Sequence, residues 1–305
     1  YGTIKSSENY ERRFIMTFPN ETLPKGRKQK TTALYDRFVN QGAVMGDSFG
    51  LENVLWFANN KEDAHEEPTI KRSRSHDYVS REVINVRENV GLIEVANFSK
   101  HGFKGTDARK FLDHVMAGKL PKPGRISLSP MLSYRGKLCG DLTVACFDEN
   151  EFMVFGSGAA QEMHRRWFES HLDKFDVNYK NRSDEFHGIS IAGPNSRKVL
   201  EKIVRDDVSN EKFKFRDSRR MFVGGVPAII NRISFTGELG YEIYVAPHYQ
   251  IKLYEELIEA GREFNIKPFG ARALMSMRLE KNWGAWTLDY RPDFSAKETG
   301  LDMFI

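Results

Sequence analysis

The sequence predicts an α+β fold. Segments whose apolar residues recur every three or four positions, typical of amphipathic helices, alternate along the chain with segments whose apolar residues recur every second position, typical of strands. Helices that alternate with strand hairpins are characteristic of this fold class. Hydrophobic residues make up 40% of the 305 residues, which is enough to form a sizeable core.

The first half of the chain is predicted to contain short helices, a strand and a charged connector. Residues 32–42 predict a helix that ends at Gly42, because glycine is a usual residue after a helix. Residues 61–77 are dense in charge, so we expect an exposed connector there. The other elements predicted in this half are a helix over residues 78–90, a strand over residues 91–96 and a helix over residues 106–115 with Thr106 as its N-cap.

Two hairpins are predicted in the second half. Each consists of two strand-like segments on either side of a polar or glycine-containing turn. The first joins residues 141–147 to residues 152–155, and the second joins residues 228–235 to residues 241–246. The remaining elements are a strand over residues 187–192 and helices over residues 160–175, 194–204, 249–264 and 271–280.

Charge and cysteine content exclude several classes of protein. The 46 basic and 42 acidic residues leave a net charge of +4, so we expect neither nucleic acid nor a membrane as a partner. The two cysteines, Cys139 and Cys146, support neither a disulfide scaffold nor a metal site. We expect a reducing compartment, either the cytoplasm or, in a eukaryote, the mitochondrial matrix. Because the sequence begins at Tyr1, we expect it to be part of a longer polypeptide.

One candidate catalytic residue is Asp141. It follows glycines at positions 136 and 140 and stands at the beginning of a predicted strand. A partly buried carboxylate there can act as a proton acceptor. The alternative is a turn residue that accepts hydrogen bonds from nearby backbone N–H groups.

A second candidate site combines Glu242 with Arg272. Glu242 lies on a predicted strand beside Tyr241, and Arg272 opens a predicted helix. A carboxylate that accepts N–H bonds and a guanidinium that donates them can hold a planar heterocycle with amino and carbonyl groups. The alternative is an ordinary salt bridge beside a tight turn. The sequence contains no dinucleotide-binding fingerprint, no phosphate-binding loop and no metal-ligand motif.

A series of motifs resembles one enzyme family along most of the chain. The motifs are GAVMGDSFGLE at residues 42–52, FSKHGFKGTDA at 98–108, GDLTV at 140–144, TGELGYE at 236–242 and RLEK at 278–281. Together they resemble the folate-binding half of the dimethylglycine dehydrogenase and sarcosine dehydrogenase family. That half is similar to the aminomethyltransferase (T-protein) of the glycine cleavage system.

The resemblance implies a fold, a domain organisation and roles for four residues. It implies the T-protein type of α+β fold without the closing C-terminal β domain. Residues 1–75 would be a connector that packs on a flavin half, and residues 76–305 the folate-binding region. Asp141 would accept a proton near the reacting amines of tetrahydrofolate. Glu242 and Arg272 would bind the pterin ring, and Tyr241 would line the same pocket.

The resemblance also implies an activity. This is tetrahydrofolate-dependent transfer of one carbon from a small N-methyl amine of the dimethylglycine or sarcosine type, which forms methylenetetrahydrofolate. FAD would be bound only by a flanking flavin domain that is absent from this chain. Two alternatives stay open: a stand-alone folate-dependent methyl- or aminomethyltransferase, and a folate-binding module without catalysis.

Overall fold

The computed structural model describes residues 2–18 and 21–305, and its mixture of helices and strands confirms the α+β class. The helices are α1 Gly2–Glu11, α2 Tyr35–Asn40, α3 Ser75–Glu88, α4 Ala108–Val115, α5 Gln161–Glu169, α6 Ser196–Ile203, α7 Gln250–Gly261 and α8 Ala271–Glu280. The first seven strands are β1 Ala43–Ser48, β2 Leu51–Phe57, β3 Val90–Glu94, β4 Phe98–Lys104, β5 Arg125–Leu132, β6 Leu138–Asp148 and β7 Glu151–Ser157. The other six are β8 Asn178–Asn181, β9 His187–Ala192, β10 Ser218–Val223, β11 Val226–Asn231, β12 Gly240–Val245 and β13 Ile266–Pro268.

The strands form three sheets. A six-stranded sheet has the order β10-β11-β12-β9-β3-β13, and within it only β13 and β3 run parallel. A five-stranded antiparallel sheet has the order β5-β6-β7-β4-β8. The third sheet is the β1–β2 hairpin. Both predicted hairpins are confirmed, as β6–β7 and as β11–β12.

The buried apolar residues form layers on both sides of the two large sheets. Helices α6 and α7 pack on one face of the six-stranded sheet through residues such as Leu200 and Leu257. The opposite face of that sheet packs on the five-stranded sheet, where Tyr244 and Phe155 belong to one apolar cluster. Helices α4 and α5 cover the outer face of the five-stranded sheet. The two large sheets therefore share one interior layer, and this layer positions the candidate site.

Among the predicted helix ends that differ from the structure, two involve hydrogen bonds of side chains. Helix α4 begins at Ala108 without a side-chain cap, because the Thr106 hydroxyl donates to Asp176 at 2.8 Å instead of capping the helix. Helix α5 stops at Glu169, although the periodic pattern continues to residue 175. The Ser170 hydroxyl donates to the carbonyl of Trp167 at 2.8 Å, and such local bonds compete with the helical ladder.

Part of residues 1–75, the predicted connector to a flavin half, belongs to the main core. Leu34 and Phe38 near α2 and Val54 on β2 belong to the cluster beneath α6 and α7. Trp56 is fully buried and its ring centroid lies 4.9 Å from that of Tyr78 on α3. Whether residues 1–75 also contact a flavin half stays a prediction.

Candidate functional site

Strand alternation decides which polar side chains enter the layer between the two large sheets. On β12, Ile243 packs beneath α6 and α7, so Glu242 and Tyr244 lie on the opposite face, toward the five-stranded sheet. On β6, Leu142 packs on the outer side beneath α4 and α5, so Asp141 faces the six-stranded sheet. The layer between the sheets therefore receives carboxyl groups from both of them.

Glu242 is a buried carboxyl group with a single side-chain donor. It is 7% exposed, and its Oε2 accepts a hydrogen bond from the Tyr244 hydroxyl at 2.8 Å. Burial raises the pKa of Glu242 to about 7, although the Tyr244 bond and the positive charges of Lys281 and Lys100 act in the opposite direction. A carboxylate has room for about four hydrogen bonds, so Glu242 retains capacity for N–H donors of a ligand.

The Tyr244 ring is fixed from both sheets. A Cβ atom at Gly188 on β9 would lie 2.6 Å from Cε1 of Tyr244, so only glycine leaves room for the ring there. From the five-stranded sheet, the ring of Phe155 packs on Tyr244 with the centroids 4.7 Å apart. The hydroxyl that orients Glu242 is therefore held in place by packing.

Two polar side chains flank Glu242 in the same row of the sheet. They are Asn231 on β11 and Ser190 on β9, whose Cα atoms pair with that of Glu242. Asn231 is fully buried, and its Oδ1 accepts a hydrogen bond from the Ser218 hydroxyl at 2.7 Å. Within the described part of the chain, its Nδ2 has no hydrogen-bond partner. Because an unpaired buried donor is costly, Asn231 is a candidate donor to a ligand.

Asp141 is a half-buried carboxyl group on the facing sheet. Burial raises the pKa of Asp141 to about 7, against the effect of a hydrogen bond from its own backbone N–H. Burial also raises the pKa of Tyr290, and the negative charge of Asp141 contributes in the same direction. The Tyr290 hydroxyl oxygen accepts a hydrogen bond from Gly284 at 3.1 Å. A carboxyl group that titrates near neutrality is suited to accept and return a proton.

The segment that follows α8 lies against the strand that carries Asp141. The backbone N–H of Leu138 on β6 donates to the carbonyl of Phe294 at 2.9 Å, and Trp286 packs on Leu138. Arg278 on α8 is buried and donates to the carboxylate of Asp289, which fixes this segment to the helix.

Arg272 forms its side-chain hydrogen bonds with Ser75 and Glu66. Its guanidinium donates to the Ser75 hydroxyl at 2.6 Å and to Glu66 Oε2 at 2.8 Å. Arg272 stands at the beginning of α8, whereas Lys281, whose charge acts on Glu242, follows its end. The hydrogen bonds of Arg272 are with Ser75 and Glu66 and not with Glu242, and its role in folate binding stays a prediction.

Tyr241 lies on the other side of the six-stranded sheet from Glu242. Its ring is fully buried beneath α6 and α7 and stacks on Phe213 with the centroids 5.9 Å apart. Its hydroxyl accepts a hydrogen bond from Arg197 Nε at 3.1 Å. Adjacent strand residues face opposite sides, so Tyr244 occupies the face on which Glu242 lies, and Tyr241 does not.

Other features of the chain do not coincide with these carboxyl groups. An open cleft of about 420 Å³ is lined by residues that include Arg27, Met45 and Glu66, and neither Asp141 nor Glu242 is among them. In the described ranges, no group of three or more His, Cys, Asp or Glu residues is placed to hold a metal ion. Nor is any helix there long and apolar enough to cross a bilayer.

Sequence reasoning assigned no site role to three residues of this layer. Tyr244 was detectable, because it stands two positions from Glu242 on the same strand. Asn231 was detectable only through the register of the predicted hairpin. Lys100, on β4, reaches the same layer from the other sheet, and nothing in its local sequence indicates that it approaches Glu242.

The chain is similar to two mitochondrial dehydrogenases. Human mitochondrial dimethylglycine dehydrogenase is 34% identical over 309 aligned residues, which cover 100% of this chain and 36% of that protein. Human mitochondrial sarcosine dehydrogenase is 27% identical over 97% of this chain and 37% of its own length. The chain therefore spans little more than a third of the length of these relatives.

A solved structure and a family model agree with this similarity. The crystal structure of glycine cleavage system aminomethyltransferase T from Bartonella henselae superposes with a TM-score of 0.76 at 21% identity, covering 90% of this chain and 69% of that chain. This confirms the predicted T-protein type of fold. The family model described as the GCVT N-terminal domain matches residues 34–305. The chain belongs to this family and is an aminomethyltransferase-like domain of the kind found in dimethylglycine and sarcosine dehydrogenases.

Proposed function

We propose that this chain binds tetrahydrofolate between its two large sheets and transfers one carbon to it from a small N-methyl amine of the dimethylglycine or sarcosine type. The products are methylenetetrahydrofolate and the demethylated amine. The observation that carries the proposal is the placement of Asp141 and Glu242 on the facing sides of the two sheets, with the pKa of each raised to about 7 by burial.

The polar groups around Glu242 fit the edge of a pterin ring. That edge presents two neighbouring donors, an amino group and a ring N–H, followed by a carbonyl acceptor. The Glu242 carboxylate matches the two donors, and the unpaired Nδ2 of Asn231 matches the carbonyl. Charge-assisted bonds to a buried carboxylate supply much of the affinity in such a site.

Asp141 is the proposed proton carrier. Tetrahydrofolate supplies the nucleophilic nitrogens that accept the one-carbon unit. A nitrogen that forms a new bond to carbon must lose a proton, and the departing amine must gain one. Asp141 faces the layer where these atoms would meet, and its pKa of about 7 suits a group that takes the first proton and returns it.

The interior position of the site favours transfer of the carbon to folate over its hydrolysis to formaldehyde. The iminium carbon of an oxidised N-methyl amine reacts readily with water, which releases formaldehyde. The two sheets and the segment held by Arg278 enclose the Asp141 side and reduce this loss. Holding both reactants in a single enclosed layer also raises their effective concentration.

We place the oxidation of the amine outside this chain. The sequence offers no dinucleotide-binding fingerprint, so FAD is proposed for a flanking part of a longer polypeptide. If the source is a eukaryote, we propose the mitochondrial matrix, because the human relatives are named as mitochondrial.

The proposal is tested on the full natural polypeptide that contains these residues. Titration calorimetry with 5-formyltetrahydrofolate, a stable reduced folate, measures binding. Turnover with dimethylglycine or sarcosine in the presence of tetrahydrofolate is followed by methylenetetrahydrofolate and formaldehyde assays. We expect saturable binding and a yield of methylenetetrahydrofolate that exceeds free formaldehyde. Binding without any product would identify a folate-binding module, and absence of binding would refute the proposal.

A further inference from the structure

Lys100 is a fully buried lysine in the layer between the two large sheets. It belongs to β4 of the five-stranded sheet, where its partner across the ladder is Phe155. Its Nζ donates to the carbonyl of Ala96 at 2.9 Å and lies 5.8 Å from the centroid of the Tyr244 ring. A buried ammonium group with one hydrogen bond is costly unless a negative charge lies close by.

Glu242 is one of three carboxyl groups that favour the charged form of Lys100, after Asp184 and Glu94 in the size of their effect. Tyr244 connects the two groups, because its ring lies under the ammonium group of Lys100 and its hydroxyl donates to Glu242 at 2.8 Å. The proposed function requires Glu242 to be ionised, since a protonated carboxyl group offers fewer acceptor sites to ring N–H donors. Burial alone opposes that ionised form.

We propose that Lys100 is a buried counter-charge that helps to keep Glu242 ionised for pterin binding, acting across the two sheets with Tyr244 as the orienting hydrogen-bond donor. This inference rests on the proposed function of Glu242 as the pterin-binding carboxylate. It makes Lys100 a positioning residue that does not itself touch the ligand.

The charges on the two groups support each other. Burial lowers the pKa of Lys100 to about 7 and raises that of Glu242 to about 7, and each charged group favours the charged form of the other. Tyr244 stays neutral, because burial holds its pKa well above the usual value. The other ionisable groups that act on this pair are Lys281 for Glu242, and Asp184, Lys30 and Glu94 for Lys100. The pKa of His187, which lies on β9 beside β12, is lowered by burial and also by the charge of Lys100.

Lys281 also favours the ionised form of Glu242, and its effect on that carboxyl group is larger than that of Lys100, but Lys281 lies at the protein surface. Its side chain is exposed and donates to the carbonyl of Ser234 at 2.8 Å, so water screens its charge. Lys100 is fully buried, and its effect on Glu242 is transmitted through the protein interior.

The experiment measures the ionisation of Glu242 directly, in the full natural polypeptide without folate. Infrared spectra between pH 5 and pH 9 follow its protonated carboxyl band, which is identified by its loss in Glu242→Gln. In Lys100→Met we expect the midpoint of this titration to move up by about one pH unit. Lys104→Met is the matched control, because Lys104 is an exposed lysine at the end of the same strand, and its midpoint should stay at the wild-type value.

Folate binding supplies the second readout. At pH 7, Lys100→Met should weaken binding of 5-formyltetrahydrofolate by about fivefold, because the ionised fraction of Glu242 falls from about one half to about one tenth, and raising the pH to 8.5 should restore most of the loss. In the Glu242→Gln background the same substitution should have no further effect, because the charge on which it acts is gone.

The outcomes separate this inference from the proposed function. An unchanged titration midpoint in Lys100→Met, or an equal loss of affinity in the Glu242→Gln background, would overturn the role of Lys100. If Lys100→Met does not fold, Lys100→Gln, which keeps a donor for Ala96 but carries no charge, is used in its place. If wild-type protein binds no folate, the proposed function fails, whereas the infrared titration still decides whether Lys100 sets the charge of Glu242.

Discussion

The hydroxyl of Tyr244 donates to the carboxylate of Glu242 at 2.8 Å inside the layer between the two large sheets. The two residues are two positions apart on β12, so they share one face of the strand. The glycine at position 188 and the ring of Phe155 fix the tyrosine, which in turn fixes the carboxylate. The acceptor proposed for the pterin is therefore oriented before any ligand arrives, which lowers the entropic cost of binding.

Glu242→Gln tests the proposed acceptor. Glutamine is similar in size but offers one acceptor oxygen and no charge, so we expect folate affinity to fall by about 1.5–3 kcal/mol, the usual contribution of a charge-assisted hydrogen bond. Calorimetry with 5-formyltetrahydrofolate at pH 8 measures the loss. An unchanged dissociation constant would mean that Glu242 has only a structural role.

Glu242→Gln should also change how stability depends on pH. The pKa of Glu242 rises from its ordinary 4.5 to about 7 on folding, so its stabilising contribution is complete below about pH 4.5 and is lost as the pH rises through 7. The variant lacks this loss and should gain stability relative to wild type between pH 5 and pH 8, by up to about 3 kcal/mol. The melting temperatures of Glu242→Gln and of wild type are measured at pH 5 and at pH 8. The same difference between the two proteins at both pH values would contradict the prediction.

Asp141→Asn tests the proton carrier. Asparagine preserves the shape but cannot accept a proton at neutral pH. In the full enzyme we expect amine oxidation and folate binding to continue, while the yield of methylenetetrahydrofolate falls by about 10²–10⁴-fold and formaldehyde increases. A variant that has merely misfolded would lose folate binding as well. A wild-type yield of methylenetetrahydrofolate would remove Asp141 from the mechanism.

Asn231→Leu tests the unpaired donor beside Glu242. Leucine is similar in volume and removes the unpaired Nδ2, but it also removes the acceptor of the buried Ser218 hydroxyl. One unsatisfied buried donor replaces another, so stability should stay within about 1 kcal/mol of wild type. Folate affinity should fall by about 1 kcal/mol, or roughly fivefold, through the lost bond to the ring carbonyl. A fall in melting temperature with unchanged affinity would show that Asn231 serves the fold through Ser218.

Arg272→Met distinguishes the role implied by the resemblance from the role implied by the contacts. Since Arg272 holds Glu66 and Ser75, we expect the substitution to lower stability by about 1–3 kcal/mol and to leave folate affinity within about twofold. Glu66→Gln, which removes the partner carboxylate, is the matched control and should lower stability in the same direction. A loss of affinity in Arg272→Met alone would support a folate-binding role instead.

Local patterns predicted most of the elements because local interactions set them. The alternation of side chains on a strand indicated that Glu242 and Tyr244 share one face, and the turn residues between the β11 and β12 segments indicated their hairpin. The ends of helices were less predictable. Ser170 and Thr106 form side-chain bonds with groups that the periodic pattern does not reveal.

The motifs indicated the family and the two carboxyl groups, and the comparisons confirmed the family. They did not indicate which motif residues meet. Arg272 and Tyr241 were predicted to share a pocket with Glu242, but Arg272 forms hydrogen bonds with Ser75 and Glu66, and Tyr241 faces the other side of its strand.

By itself the sequence determined the fold class, the family and the strand face that Glu242 shares with Tyr244, because these depend on short-range periodicity and on motif identity. Only the tertiary structure decided that Asp141 and Lys100 from one sheet face Glu242 and Tyr244 from the other. The physical reason is that the packing of two sheets is set by their whole apolar faces, among them Phe155 against Tyr244, and no local pattern encodes that contact.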